Sequence, residues 1–233
     1  MATKKVKHFT LLGLTLLTGE PLMCVIIFSG EKHKDLIELG VDPFIDEEKI
    51  IGTLDDKDYV IKYTGKGKLF PTGPECTYNG KTIPCMCRWS KNGSMTGKIL
   101  KEVVETLDTY DLFDRTDGKR PFFLLDGHNS RLSGPFVKYI SSLEHQWCVC
   151  FGVPYGTSIW QVGDSEQQNG CYKMGMTKYK DLIVKKKLTE FFSNPEFTDT
   201  DIIPAINLAW NDSFAHTESN KAAISERGWH PFN

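Results

Sequence analysis

Two short apolar runs, "PFFLLD" at residues 121–126 and "WCVCFGVP" at 147–154, limit what this chain can fold into more than any other feature. Neither alternates polar with apolar residues, as a strand with one wet face does, so both read as strands buried on both sides. Such strands need helices above and below them, and the flanking sequence supplies these. Leu100, Val103, Val104 and Leu107 recur at helical spacing and predict a helix over about 95–108, with Ser94 as its cap. Phe136, Tyr139, Ile140 and Leu143 predict a second over 132–143. A long helix is expected from about 165 to 192. It places Cys171, Met174, Tyr179, Leu182, Ile183, Leu188 and Phe191 mostly on one side, with lysines over much of the rest. A last helix over 199–210 precedes a polar tail running to residue 233.

Upstream, "HFTLLGLTL" (8–16) and "LMCVIIF" (22–28) flank the turn residues Gly19 and Pro21 and read as a β-hairpin. Residues 29–93 are rich in Gly, Pro, Lys and Asp, with short strand-like pieces such as "YVIKYT", and read as an irregular insertion. Hairpin, helix, strand, helix, strand, helix is an α/β order: a mixed sheet with helices on its faces. At 233 residues the chain is expected to form a single domain.

Bulk charge gives nucleic acid no general attraction, since the net charge is −2 and the pI about 6.3; any such contact needs a local basic face. The seven cysteines are odd in number and scattered, which fits free thiols in a reducing compartment. The N-terminus opens like a signal peptide, but Gly13 and Thr15 interrupt its apolar stretch and no small-residue cleavage site follows. No run approaches the ~18 apolar residues of a membrane helix. An intracellular, soluble protein without membrane partners is expected.

In open α/β sheets, ligands bind at the carboxyl ends of the strands, and both buried runs bring an acid near that edge. Asp126 closes the first. Asp164 follows the second, at the end of "VPYGTSIWQVGD" and just before the long helix. Either alone reads equally as a helix cap or turn residue. Two neighbouring carboxylates, however, repel unless a cation neutralises them. All-oxygen ligation selects Mg²⁺ or Mn²⁺, and paired ions held this way activate water in phosphodiester cleavage.

"FFLLDGHNSRL" and "PYGTSIWQVGD" together resemble the DDE-superfamily endonucleases, the catalytic domains of pogo- and Tigger-like transposases. Pro154, Thr157, Gln161 and Asp164 match the family's Pro-x-x-Thr-x-x-x-Gln-Pro-x-Asp pattern, with Val162 in place of its second proline. The hairpin at 8–28 and the stretches "INLAWNDSF" and "NKAAISERGWHPFN" also look like the family, while 29–93 is unmatched. The resemblance implies an RNase H-like mixed sheet, two divalent metal ions (Mg²⁺ or Mn²⁺), DNA as partner, a nuclear location and room for homo-oligomers. Asp126 and Asp164 would be catalytic metal ligands.

Two departures qualify it. Arg131 stands where the family usually has histidine, and is a candidate phosphate contact. The family's first acid, on a strand upstream of the hairpin, has no counterpart, so the chain reads as an N-terminally truncated domain, inactive with two acids of three. That strand is central in the family's sheet, and its loss leaves two rows of backbone groups without ladder partners. One alternative is a domesticated, non-catalytic domain that binds nucleic acid or protein. Another is an unrelated α/β module whose aspartates are caps.

Other residues carry weaker signals. Lys173, Lys178 and Lys180 on the long helix are candidates for tracking phosphates, set against a merely solvated face. Cys76, Cys85 and Cys87, with His33 and His128, are weighed as a zinc site, but Cys-x-Cys is not the usual knuckle. Cys148 and Cys150 read as small core residues, and Trp147, Trp160 and Trp210 as core or edge anchors.

Overall fold

A computed structural model describes residues 8–29, 47–54, 57–63, 73–126, 132–142, 144–152, 157–191, 196–197 and 201–229. The chain opens with the expected hairpin: β1 (Phe9–Thr15) and β2 (Pro21–Ser29) pair antiparallel, Phe9 opposite Phe28 and Leu14 opposite Met23. Gly19, at φ +94°, makes the turn between them. Every residue from Leu22 to Phe28 is buried, because β2 is paired along both edges and covered on both faces. β1 holds one edge. The other is held by a parallel strand within the stretch expected to be irregular, Met86–Ser90.

The described parts of that stretch are more regular than its composition suggests. It carries a hairpin of β3 (Glu47–Leu54) and β4 (Lys57–Tyr63), then a small one of β5 (Cys76–Tyr78) and β6 (Lys81–Ile83), before Met86–Ser90 as β7. Asn79 and Gly80 both have positive φ, +48° and +73°, as a two-residue hairpin turn requires. Arg88 sits in the sheet at the cost of an ion pair, its Nε 2.7 Å from Glu102 Oε2.

Helix α1 spans Gly97–Thr109 and buries Leu100, Val103, Val104 and Leu107 as their spacing predicts. Its cap is Thr96, whose hydroxyl accepts from Ile99 N at 3.2 Å. Ser94 instead offers its carbonyl to the Ser90 hydroxyl at 2.8 Å. β8 (Phe122–Leu125), α2 (Gly134–Ile140) and β9 (Cys148–Phe151) follow, the two strands parallel. Then come a short α3 (Thr157–Trp160), a 3₁₀ turn (Val162–Asp164), a π turn (Glu166–Gly170) and α4 (Cys171–Phe191). α5 (Ile202–Asn211) is the expected last helix, but the polar stretch beyond it forms α6 (Thr217–Glu226), which buries Asn220, Ala223 and Ile224.

Side-chain alternation sorts the core into two layers. Leu14, Met23, Val25, Ile27 and Met86 pack on the α1 side, together with Leu125 and Trp147. Cys24, Ile26, Phe28 and Cys87 pack on the other, against Tyr172 of α4 and Ile206, Trp210 and Phe214 around α5. Gly13 lets β1 pass under Phe214, since a Cβ there would stand 2.7 Å from the ring. The apolar side expected of α4 is not continuous. Tyr172 is buried, while Met174, Leu182 and Leu188 are exposed, because only the face around Gly175 meets α5, at Ala209. Cys148 is exposed and Cys150 half-buried, so neither belongs to the core; Trp147 and Trp210 do.

The result is a mixed α/β chain with helices on both faces of small sheets. Among the described residues the strands form four small sheets, β1–β2–β7, β3–β4, β5–β6 and β8–β9, and β1 and β8 share no ladder. Among the described residues, no helix is long and apolar enough to cross a membrane.

Candidate functional site

β1 and β8, from two separate sheets, line a cavity of about 550 Å³. Residues 10–16 of β1 and its exit, and 122–126 of β8 and its exit, line it without a break. In a strand, successive side chains point to opposite faces. A cavity lined by every residue in turn therefore runs along a strand's edge rather than over one face. The opposite edges of β1 and β8 are already paired, with β2 and β9.

The strands run in opposite directions. α1 starts near His8, whose carbonyl accepts from Ser29 N at 3.0 Å and abuts Gly93. It ends at Asp108, whose carboxylate accepts from Trp147 Nε1 at 3.0 Å, just before β9. Thus β1 begins at the end of the molecule where β8 finishes.

Asp126 lies at that end, half-buried and among the cavity's lining residues. The second motif reaches the same cavity: Trp160, Gln161, Val162 and Gly163 line it. Asp164 itself does not. It is exposed, and its Oδ1 accepts from Asn169 Nδ2 at 3.2 Å. The fold thus brings the two motif segments to one cavity, with one of their two carboxylates on its wall. Among the described residues, no group of three or more His, Cys, Asp or Glu side chains could hold a metal ion. Arg131, His33, His128 and Pro154 lie outside the described residues.

The cavity's walls are fixed by packing that the sequence did not advertise. Trp160 lies across Gly152, where a Cβ would fall inside the indole ring at 1.5 Å. Its carbonyl accepts from Trp229 Nε1 at 2.7 Å, while its own buried Nε1 has no partner. At the opposite end, the buried amide of Gln168 donates to Asn220 Oδ1 at 2.9 Å. Asn220 Nδ2 donates in turn to the carbonyls of Gly19 and Phe214, both at 2.8 Å. Gln168 sits in the π turn, a distortion that often marks functional positions. Asp108 is a further junction: Tyr139 OH donates to it at 2.8 Å, Arg115 also bonds it, and His145 Nδ1 lies 3.2 Å away.

Lys173, Lys178 and Lys180 are all exposed on α4. Lys178 stands 3.5 Å from Asp212 and 3.3 Å from Tyr179 OH. These two contacts, Tyr179 first, raise its pKa. Lys180 lies over the Phe197 ring, 5.4 Å from its centre. Lys178 and Lys180 are therefore anchored rather than loose cations.

Cys76, Cys85 and Cys87 do come together, joined by Cys24 from β2, and all four are buried in one apolar layer. Burial, then proximity to Cys85, pushes the Cys24 thiol up and the Cys76 thiol up to about 12. Cys24 and Cys76 therefore keep their protons at neutral pH in this apolar layer. Cys24 was hidden from a spacing search because β2 brings it beside Cys85 only through the parallel pairing of β2 with β7.

No protein family, no curated protein and no solved structure matches the chain.

Proposed function

We propose that this chain is a DDE-endonuclease-like domain with an RNase H-like sheet, which by itself, with two of the family's three acids, does not cleave DNA. The observation that carries the reading is the cavity itself. β1 and β8 line one cavity without sharing a ladder, and Asp126 stands on its wall, with the turn that carries Asp164 beside it. Asp126, with Asp164 from the neighbouring turn, supplies oxygen ligands suited to Mg²⁺ or Mn²⁺. When bound, such an ion would activate water against a phosphodiester. Two acids, one of them exposed and hydrogen-bonded to Asn169, hold it weakly. DNA is the partner in this reading, with Lys173, Lys180 and Arg131 as phosphate contacts.

The test measures Mn²⁺ binding and DNA nicking on the same protein. The expected outcome is Mn²⁺ binding on the order of a millimolar, at least severalfold weaker in Asp126→Asn, with no nicking of supercoiled DNA. Failure of Asp126→Asn to change Mn²⁺ binding would remove the metal site. Nicking by the unmodified chain that Asp126→Asn abolishes would show that two acids suffice.

A further inference from the structure

From the lining of the cavity between β1 and β8 we infer that it binds a small organic cation, an apolar ring system carrying one ammonium group. The rings lie among the aromatic side chains and the ammonium sits at Asp126. This goes beyond the endonuclease reading and needs neither a metal ion nor a nucleic acid.

Three observations select that ligand. First, at about 550 Å³ the cavity has the size of a small-molecule site, and its lining is mostly apolar. Second, seven of the 28 lining residues are aromatic, a quarter against 12% for the whole chain. Flat rings pack against such walls edge-on or offset. Third, Asp126 is the single charged side chain of the lining, which holds no lysine, arginine or histidine. A carboxylate or phosphate ligand would meet a like charge there and no counter-charge, while a cation gains a partner.

The fold also fixes where the charge belongs. Leu125 O accepts from Gly152 N at 2.8 Å, and the Trp160 indole lies across Gly152. Trp160 therefore stands beside the end of β8, where Asp126 leaves the strand. A carboxylate with an aromatic ring beside it holds an ammonium through a charged hydrogen bond and a cation–π contact. The far end is apolar: Phe122, about 13 Å back along the strand, is 46% exposed. Next to it, the rings of Phe123 and Trp147 have centres 6.0 Å apart, and Trp147 is held by its 3.0 Å bond to Asp108. A molecule of two or three fused rings with a short amino arm matches that span.

The probe is N-methyl-9-anthracenemethylamine, compared with 9-anthracenemethanol and 9-anthracenecarboxylate, which share its rings and differ in charge. Each is titrated into the intact chain in the presence of EDTA. Binding is read from the quenching of tryptophan emission and from the indole N–H resonances of Trp147 and Trp160. The expected result is one saturable site for the amine, with a Kd on the order of 10–100 µM, and a shift of both resonances. The alcohol should bind roughly tenfold more weakly, and the carboxylate more weakly still. In Asp126→Asn the amine should fall to the affinity of the alcohol, while the alcohol binds as before and so reports an intact cavity. Equal affinities for all three molecules would reduce the site to a greasy pocket and overturn the inference. So would tighter binding of the carboxylate, or no saturable binding of the amine up to a few hundred micromolar. Amine binding that leaves both indoles unshifted, or that Asp126→Asn does not weaken, would overturn it as well. These titrations contain no divalent ion and the Mn²⁺ measurement contains no amine, so the two readings fail separately.

Discussion

The four buried cysteines show how one residue type changes meaning with its surroundings. In sequence, Cys76, Cys85 and Cys87 are weighed as a zinc site against unliganded thiols; in place, with Cys24, they fill an apolar layer beside Ile26 and Trp210. Thiols in such a layer resist ionisation, and this couples them to stability. The folded pKa is raised, to about 12 for Cys76, while the unfolded chain ionises near its ordinary value. Below about pH 8.5 both states hold the proton and the contribution is complete. Above it the unfolded chain releases protons that the folded chain keeps, so stability falls as pH rises towards 12. Thermal unfolding followed from pH 7 to 11 should show this loss, and Cys76→Ala should reduce its slope. An unchanged slope in Cys76→Ala would mean that this thiol ionises normally in the folded protein.

At the scale of elements, what the sequence revealed depended on how local the signal was. The β1–β2 hairpin, α1's buried stripe, and the strands β8 and β9 were all visible, because periodicity and turn residues act within a dozen positions. β7 was not, because "MCRWS" puts an arginine mid-strand, where its pairing with Glu102 and its bond to the Cys87 carbonyl help to accommodate it. The Asn79–Gly80 turn was legible in principle, since Asn-Gly is a strong hairpin signal, but the flanking strands are only three residues long. α6 was unreadable for a different reason. Its sequence is mostly polar, and beside the buried Ala223 and Ile224 it is held by an amide, Asn220, that bridges Gln168 and the carbonyls of Gly19 and Phe214. Removing it as Asn220→Ala strands three buried polar groups. Losing those bonds should cost about 2–4 kcal/mol, seen as a lower denaturant midpoint with α6 amides exchanging first. A cost below about 0.5 kcal/mol, the range of surface substitutions, would show that the bridge contributes nothing to holding α6. Of the candidate site, the sequence singled out Asp126 and read Trp160 as a core or edge anchor, whereas Gln168 and Asn220 carried no signal, since their bond joins residues far apart in the chain.

For the whole molecule, a divided sheet predicts divided stability. β2 has neighbours on both edges and cover on both faces, so its amides open only with the domain. β8 and β9 have one ladder between them, and an isolated pair of strands is marginal in water. Phe122 and Cys148, paired in that ladder, are both exposed, while Leu125 is buried in the α1-side core and Phe123, Val149 and Phe151 pack against it. Asp108, at the end of α1, adds a polar tie between this pair and the rest. It takes hydrogen bonds from Trp147 and Tyr139 and pairs with Arg115, with its side chain 13% exposed. Native-state hydrogen exchange should therefore resolve two units, with β8–β9 opening at lower free energy than β2. Asp108→Ala leaves the Arg115 charge and the indole N–H short of a partner, and should lower the β8–β9 opening energy by about 2–3 kcal/mol. The amides of β2, held by β1 and β7, should lose less than the β8–β9 unit does. Equal losses across both units would mean that the sheet opens as one body, and that the gap between β1 and β8 does not divide its cooperativity.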